Sequence, residues 1–81
     1  MTKQEVFEKL DEIFQDEFDD ESIHVTEETT AGDIEDWDSL AHISLIAAVE
    51  SGFGMKFTMG EVTGMKNVGE MAEIILSRIS K

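Results

Sequence analysis

The stretch Asp36-Trp37-Asp38-Ser39-Leu40-Ala41-His42-Ile43-Ser44-Leu45-Ile46-Ala47-Ala48-Val49-Glu50-Ser51-Gly52-Phe53-Gly54 decides the fold. Leu40, Ile43, Ile46 and Ala47, together with Leu45, Val49 and Phe53, recur at helical spacing. Gly52 and Gly54 close the segment, because glycine reaches the left-handed conformation that ends helices. The spacing predicts a helix over 39–51 with this apolar set in the core. At its start Asp38 is a natural N-cap. Ser39 then falls in the first turn, its hydroxyl facing out beside unpaired N–H groups and the positive end of the helix dipole. A phosphate attached there would be stabilised. An Asp-Ser pair also makes an ordinary helix start, so the surrounding chain has to separate the two readings.

Upstream, Val6, Leu10 and Ile13 with Phe7, Phe14 and Phe18 repeat every three or four residues between carboxylates, which predicts a helix over 3–17. Thr2 and Glu5 form a capping box at its start. From Asp19 to Trp37 no period is sustained, and only Ile23, Val25 and Ile34 are large enough to pin a loop. Connections of that length inside a compact domain are usually functional or disordered, and this one hints that its far end does something. Downstream, Thr58 with Glu61 opens a short helix that Gly64 ends, and Asn67 with Glu70 opens a last one. There Val68, Met71, Ile75 and Ile79 repeat with Ile74 beside them, and Arg78 and Lys81 lie where the dipole favours cations. With no Pro and no run of alternating residues, the prediction is all-α: a small four-helix bundle of three long helices and one short, with a long first loop, in one domain over 1–81.

The chain has 81 residues and a net charge of −13, with 6 Lys+Arg against 19 Asp+Glu. That excludes a nucleic-acid binder working through basic patches. One core fits this length but a second domain or a deep substrate cleft does not, so the chain is read as non-catalytic. Cysteine is absent, which leaves stability to apolar packing against carboxylate repulsion. The longest apolar run, Leu45 to Val49, falls far short of a membrane span or a signal segment, and the expected location is cytoplasmic. The carboxylates from Asp16 to Glu21 do not form a calcium loop, because Phe18 stands at the third position and no Gly follows at the turn. No metal site is expected.

Taken in order, these features resemble the acyl carrier protein family. The shared points are an amphipathic first helix, an acidic loop, Asp38-Ser39-Leu40, the Ile43, Leu45, Ile46 and Val49 pattern, the Phe53-Gly54 helix end, a short helix near Glu61 and Val68 opening the last. The resemblance implies 4′-phosphopantetheine attached to Ser39 by a phosphopantetheinyl transferase using coenzyme A and Mg²⁺. Its terminal thiol would carry an acyl or aminoacyl group as a thioester to partner biosynthetic enzymes. Asp38 would cap the helix and help that metal dock, and Leu40 looks like an apolar anchor for partners. Trp37 and Asp36 depart from the small residues that many fatty-acid carriers place there, and Ala41, His42 and Ser44 stand where those carriers are often acidic. The Trp-Asp-Ser-Leu-Ala-His string is more similar to stand-alone carriers of specialised biosynthetic or surface-modification pathways.

A monomer is expected, steered by its charge toward partners with basic docking surfaces. The candidate contacts flanking Ser39 are Glu35, Asp36, Trp37, His42, Glu50 and Glu61. His42 lies three residues after Ser39, but with nothing to orient its ring it is read as an exposed polar residue rather than a catalytic base. Trp37 either touches partners or pins the loop. Met55, Met59, Met65 and Met71 read as flexible filler around the last two helices. The competing reading is an acidic adaptor module with no prosthetic group.

Overall fold

The computed structural model describes residues 2–34 and 36–79. Helix α1 spans Lys3–Phe18, α2 Ser39–Phe53, α3 Met59–Gly64 and α4 Val68–Ile79, and a 3₁₀ turn at Ala31–Asp33 lies within the first loop. Among the described residues there is no strand, so the architecture is the all-α arrangement of three long helices and one short that the periodicity predicts.

The predicted capping box opens α1: the Glu5 amide donates to Thr2 Oγ1 at 3.2 Å and the Thr2 amide to Glu5 Oε1 at 2.7 Å. The helix ends at Asp19, whose φ of 51° is left-handed, and the Asp20 amide returns to the Gln15 carbonyl at 3.0 Å. Helix α2 runs two residues beyond the expected end. Gly52 does not stop it but stays helical against α1, where a Cβ would lie 2.9 Å from Ile13 Cδ1. Gly54, at φ 66°, provides the stop.

Val6, Leu10 and Phe14 of α1, Leu45, Ile46 and Val49 of α2, and Val68, Met71, Ala72 and Ile75 of α4 are buried together with Val25 of the first loop. Helix α3 contributes no fully buried residue. The sequence pattern placed Leu40, Ile43 and Ala47 in this core, and the structure corrects that: Leu40 is 80% exposed, Ile43 66%, and Ala47 lies on the surface. Between Asp38 and Glu50 the helix carries no acidic or basic side chain apart from His42, so periodicity has no charged face from which to tell inside from outside. Met59, read as filler, is also 80% exposed, whereas Met71 is buried and Met55 and Met65 are half-buried.

The first loop is fastened at both ends. The Val25 amide donates to Asp11 Oδ1 at 2.6 Å and the Gln15 side chain to the Ile23 carbonyl at 2.8 Å. At the far side, the first amides of α4 serve as donors: Val68 to the Thr29 carbonyl at 2.8 Å and Gly69 to the Glu27 carbonyl at 3.1 Å. Glycine is required at 69, since a Cβ there would lie 2.7 Å from the Glu27 carbonyl oxygen. Asn67 caps α4 by accepting from the Glu70 amide at 2.9 Å, but the Glu70 carboxylate turns to the Lys66 amide at 3.2 Å, so the third capping box is only half formed.

Candidate functional site

Ser39 is the first residue of α2 and is exposed, as expected. Asp38 is the N-cap: its extended backbone enters the helix and its Oδ1 accepts from the Ala41 amide at 2.8 Å. Its carbonyl accepts from the His42 amide at 2.8 Å. The amides of Ser39 and Leu40 find no acceptor among the described residues. The result is a hydroxyl in open solvent at the positive end of a fifteen-residue helix.

Trp37 and His42 are organised in a way the sequence reading missed. Trp37 is half-buried, edge-on to Phe14 at 5.2 Å and tilted against Phe18 at 6.3 Å, so it pins the loop to α1. It also stacks on His42, with ring centroids 5.8 Å apart. The expectation of an exposed, unoriented His42 is overturned. Its ring is half-buried, with Nδ1 3.1 Å from Trp37 Nε1 and Nε2 3.2 Å from the Val62 carbonyl oxygen. An indole nitrogen can only donate and a carbonyl can only accept, so Nδ1 is bare and Nε2 carries the proton. With both nitrogens engaged, the imidazole is not available as a base for Ser39. The spacing of Trp37 and His42, five residues across a helix start, was the signal; it becomes readable only once the N-cap is fixed at Asp38.

The carboxylates expected to meet partners divide. Asp36 is exposed. Glu50 is half-buried and its Oε2 accepts from the Phe57 amide at 2.8 Å, which holds the α2–α3 loop. Glu61 accepts from the Thr58 amide at 2.8 Å through Oε1 and from Arg78 Nη2 at 2.5 Å through Oε2. Those contacts, Arg78 first and Thr58 second, hold its carboxyl below the ordinary 4.5. Arg78 Nη1 also reaches the Lys56 carbonyl at 2.6 Å. Glu50 and Glu61 are therefore engaged in intramolecular hydrogen bonds while remaining partly exposed. Glu35 lies outside the described residues.

A cavity of about 600 Å³ opens beside Ser39, between α2, α3 and the start of α4, with Ile43, Met59, Val62, Met65 and Met71 in a largely apolar wall that also includes Asp38 and Lys66. Among the described residues no cluster of three or more His, Asp or Glu side chains could hold a metal ion, and no helix is long and apolar enough to cross a membrane.

A bundle of this kind, with an unactivated serine displayed at a helix mouth, is suited to carry a group that another protein installs. The comparisons agree. The structure is similar to the solution structure of a holo acyl carrier protein from Geobacter metallireducens, with 41% identity, a TM-score of 0.87, and coverage of 93% of this chain and 86% of that one. The sequence is 25% identical over 81 residues to the acyl carrier protein of Saccharopolyspora erythraea, covering all of this chain and 85% of that protein. No family model matches the chain. The chain belongs to the acyl carrier protein family. It is a non-catalytic carrier that bears acyl groups on covalently bound 4′-phosphopantetheine and interacts with a phosphopantetheinyl transferase and biosynthetic enzymes.

Proposed function

We propose that Ser39 is the attachment residue and that residues 1–81 act as one discrete, monomeric, cytoplasmic carrier domain presenting a thioester-linked cargo. The observation that carries this reading is the exposed Ser39 at the mouth of α2, next to first-turn amides that have no acceptor among the described residues and beside the Asp38 cap. A phosphodiester at that oxygen is favoured by the helix dipole. When bound, the prosthetic group supplies a thiol, which this cysteine-free chain lacks. The chain's part is to hold the hydroxyl outward. Asp38 fixes the turn, and the transferase brings the base and metal.

The cavity beside Ser39 has a largely apolar lining that includes Met59, Met65 and Met71. That lining favours a hydrocarbon acyl cargo over an aminoacyl one, whose ammonium would lose part of its water against a largely apolar wall. Leu40, Ile43 and Met59 project an apolar surface around Ser39, and Asp36 and Asp38 give it an acidic edge. We assign partner contact to these residues in place of Glu50 and Glu61. Charge reversal at Asp36 is expected to slow loading by a cognate enzyme and to weaken its salt dependence, and Leu40→Ala to slow loading without changing that dependence.

Intact-protein mass spectrometry after incubation with coenzyme A, Mg²⁺ and a broad-specificity phosphopantetheinyl transferase tests the attachment. Wild type gains one arm and Ser39→Ala gains none while keeping its helical circular dichroism. An arm on the Ser39→Ala variant overturns the assignment of Ser39. A folded wild type that accepts no arm leaves the adaptor reading instead.

A further inference from the structure

The stretch that carries Ser39 is shallowly seated. No side chain from Asp38 to Ser44 is fully buried, and the first of α2 to be so is Leu45. Most bonds that shape the stretch are local: the Ala41 amide donates to Asp38 Oδ1 and the His42 amide to the Asp38 carbonyl, both at 2.8 Å. Bonds of that kind coil a turn without fixing where it points, and helix ends fray when nothing else holds them. Among the described residues, two side-chain bonds reach further. The Trp37 indole N–H donates to His42 Nδ1 at 3.1 Å, and His42 Nε2 donates to the Val62 carbonyl at 3.2 Å. The first of these spans Asp38–Ala41, joining the residue before the N-cap to one a full turn inside the helix.

Trp37 is itself anchored. Its ring meets Phe14 edge-on at 5.2 Å and Phe18 at 6.3 Å, and with Ile34 it packs on the buried core. Phe14 is fully buried, so the indole is referenced to the most closely packed part of the molecule. Through its hydrogen bond the indole extends that reference to the first turn of α2. Ser39, exposed and held by none of these bonds, takes its position from the residues on either side of it.

We propose that Trp37 and His42 are a pair of positioning residues for arm loading: their side-chain bond braces the first turn of α2 against α1 and presets the place of the Ser39 hydroxyl. The role in loading rests on the reading of Ser39 as the attachment residue. In that step Ser39 Oγ bonds to a phosphorus of coenzyme A as the bond from that phosphorus to the departing nucleotide breaks, and the hydroxyl proton passes to the transferase. Misplacing an attacking atom by about 1 Å costs up to about a hundredfold in rate. A preset turn therefore speeds the step that follows docking and adds nothing to the docking surface itself.

Steady-state loading by a broad-specificity phosphopantetheinyl transferase with coenzyme A and Mg²⁺, at varied concentrations of the full-length carrier, tests the pair. Trp37→Phe keeps an aromatic wedge and removes the donor; His42→Leu removes the acceptor. Each is expected to lower kcat about tenfold and to leave the KM for the carrier within about twofold. The double variant should be no slower than the slower single one, since all three lose the same bond. His42→Asn, whose side-chain oxygen can accept the indole proton, should recover most of the rate. Unchanged kcat, a rise in KM alone, losses that add in the double variant, or no recovery in His42→Asn overturns the brace. Circular dichroism checks that each variant folds; if His42→Leu does not, Trp37→Phe and His42→Asn decide. Amide exchange supplies a readout that needs no loading: in Trp37→Phe the Ala41 and His42 amides should accelerate at least about fivefold more than those of Val49 and Glu50. Equal acceleration overturns the brace. A wild type that accepts no arm overturns the reading of Ser39 instead, and the exchange result still stands.

Discussion

The two sides of α2 are built on different physics. Toward α1 and α4 it presents Leu45, Ile46 and Val49 to a dry interior in which Leu10, Phe14 and Ile75 are fully buried. Toward α3 it presents His42 and the exposed Leu40 and Ile43, and α3 answers with Val62, half-buried, and Met59, exposed. Dispersion and hydrophobic burial in a fully buried interior fix the first side, whereas on the second side the partly buried Val62 and Met65 pack on the core and directional polar bonds from His42 and Arg78 add to them. Fully buried, close-packed interfaces resist local opening more than a short helix without a fully buried residue does.

The contrast is broken most directly by truncating the dry side. Phe14→Ala removes a fully buried ring and the backing of Trp37, and is expected to cost about 3–5 kcal/mol, enough to unfold much of a domain this small. Urea denaturation followed by circular dichroism measures it. On the α3 side, Met59→Ala, at a residue 80% exposed, should shift the same midpoint by no more than about 0.5 kcal/mol. Equal effects at the two positions would erase the distinction.

Next in size is Gly69→Ala, which drives a Cβ into the Glu27 carbonyl, backbone against backbone. A cost of about 1–3 kcal/mol is expected in the denaturation midpoint, as for other overpacked sites. Amide exchange at Val68 and Gly69 should rise with it, because the first loop has to leave α4.

Acid sharpens the comparison on the α3 side. Glu61 is held below the ordinary 4.5 by Arg78 and then Thr58, so its folded value is the lower one. The stability it contributes is complete above the ordinary value and is lost as pH falls through the folded value. Exchange of α3 amides should therefore rise on acidification below about pH 4.5, while that of buried α1 amides lags behind. Glu61→Gln should remove the pH step at α3. A step unchanged in that variant would assign it to another group.

The smallest expected change is a gain. Asp19 ends α1 in the left-handed region at φ 51°, which costs an L-residue conformational energy that glycine does not incur. Asp19→Gly should stabilise the protein by about 0.5–1 kcal/mol and remove one of its many negative charges, visible as a higher thermal midpoint. Added salt, which screens the carboxylate repulsion in wild type, should raise the midpoint as well.

Much of this was legible in the residues alone. Period fixed the number, type and order of the helices, because an amphipathic helix has to bury one stripe and the spacing of Val6, Leu10 and Phe14 admits a single stripe. Local chemistry fixed the starts: Thr2 with Glu5, Asp38 and Thr58 with Glu61 cap as their spacing requires, since those bonds join residues three apart and need no tertiary partner. The outward serine at the mouth of α2 follows from the same local rule. What only the tertiary structure decided is what bonds over long separations. It chose which face of the apolar α2 turns inward, leaving Leu40 and Ile43 outside. It set Gly52 against Ile13 instead of at a helix end. It tied Glu50 to the Phe57 amide and Glu61 to Arg78, and it joined His42 to Val62 twenty residues away. Each of those outcomes depends on where a distant backbone atom or side chain arrives, which no spacing along the chain encodes.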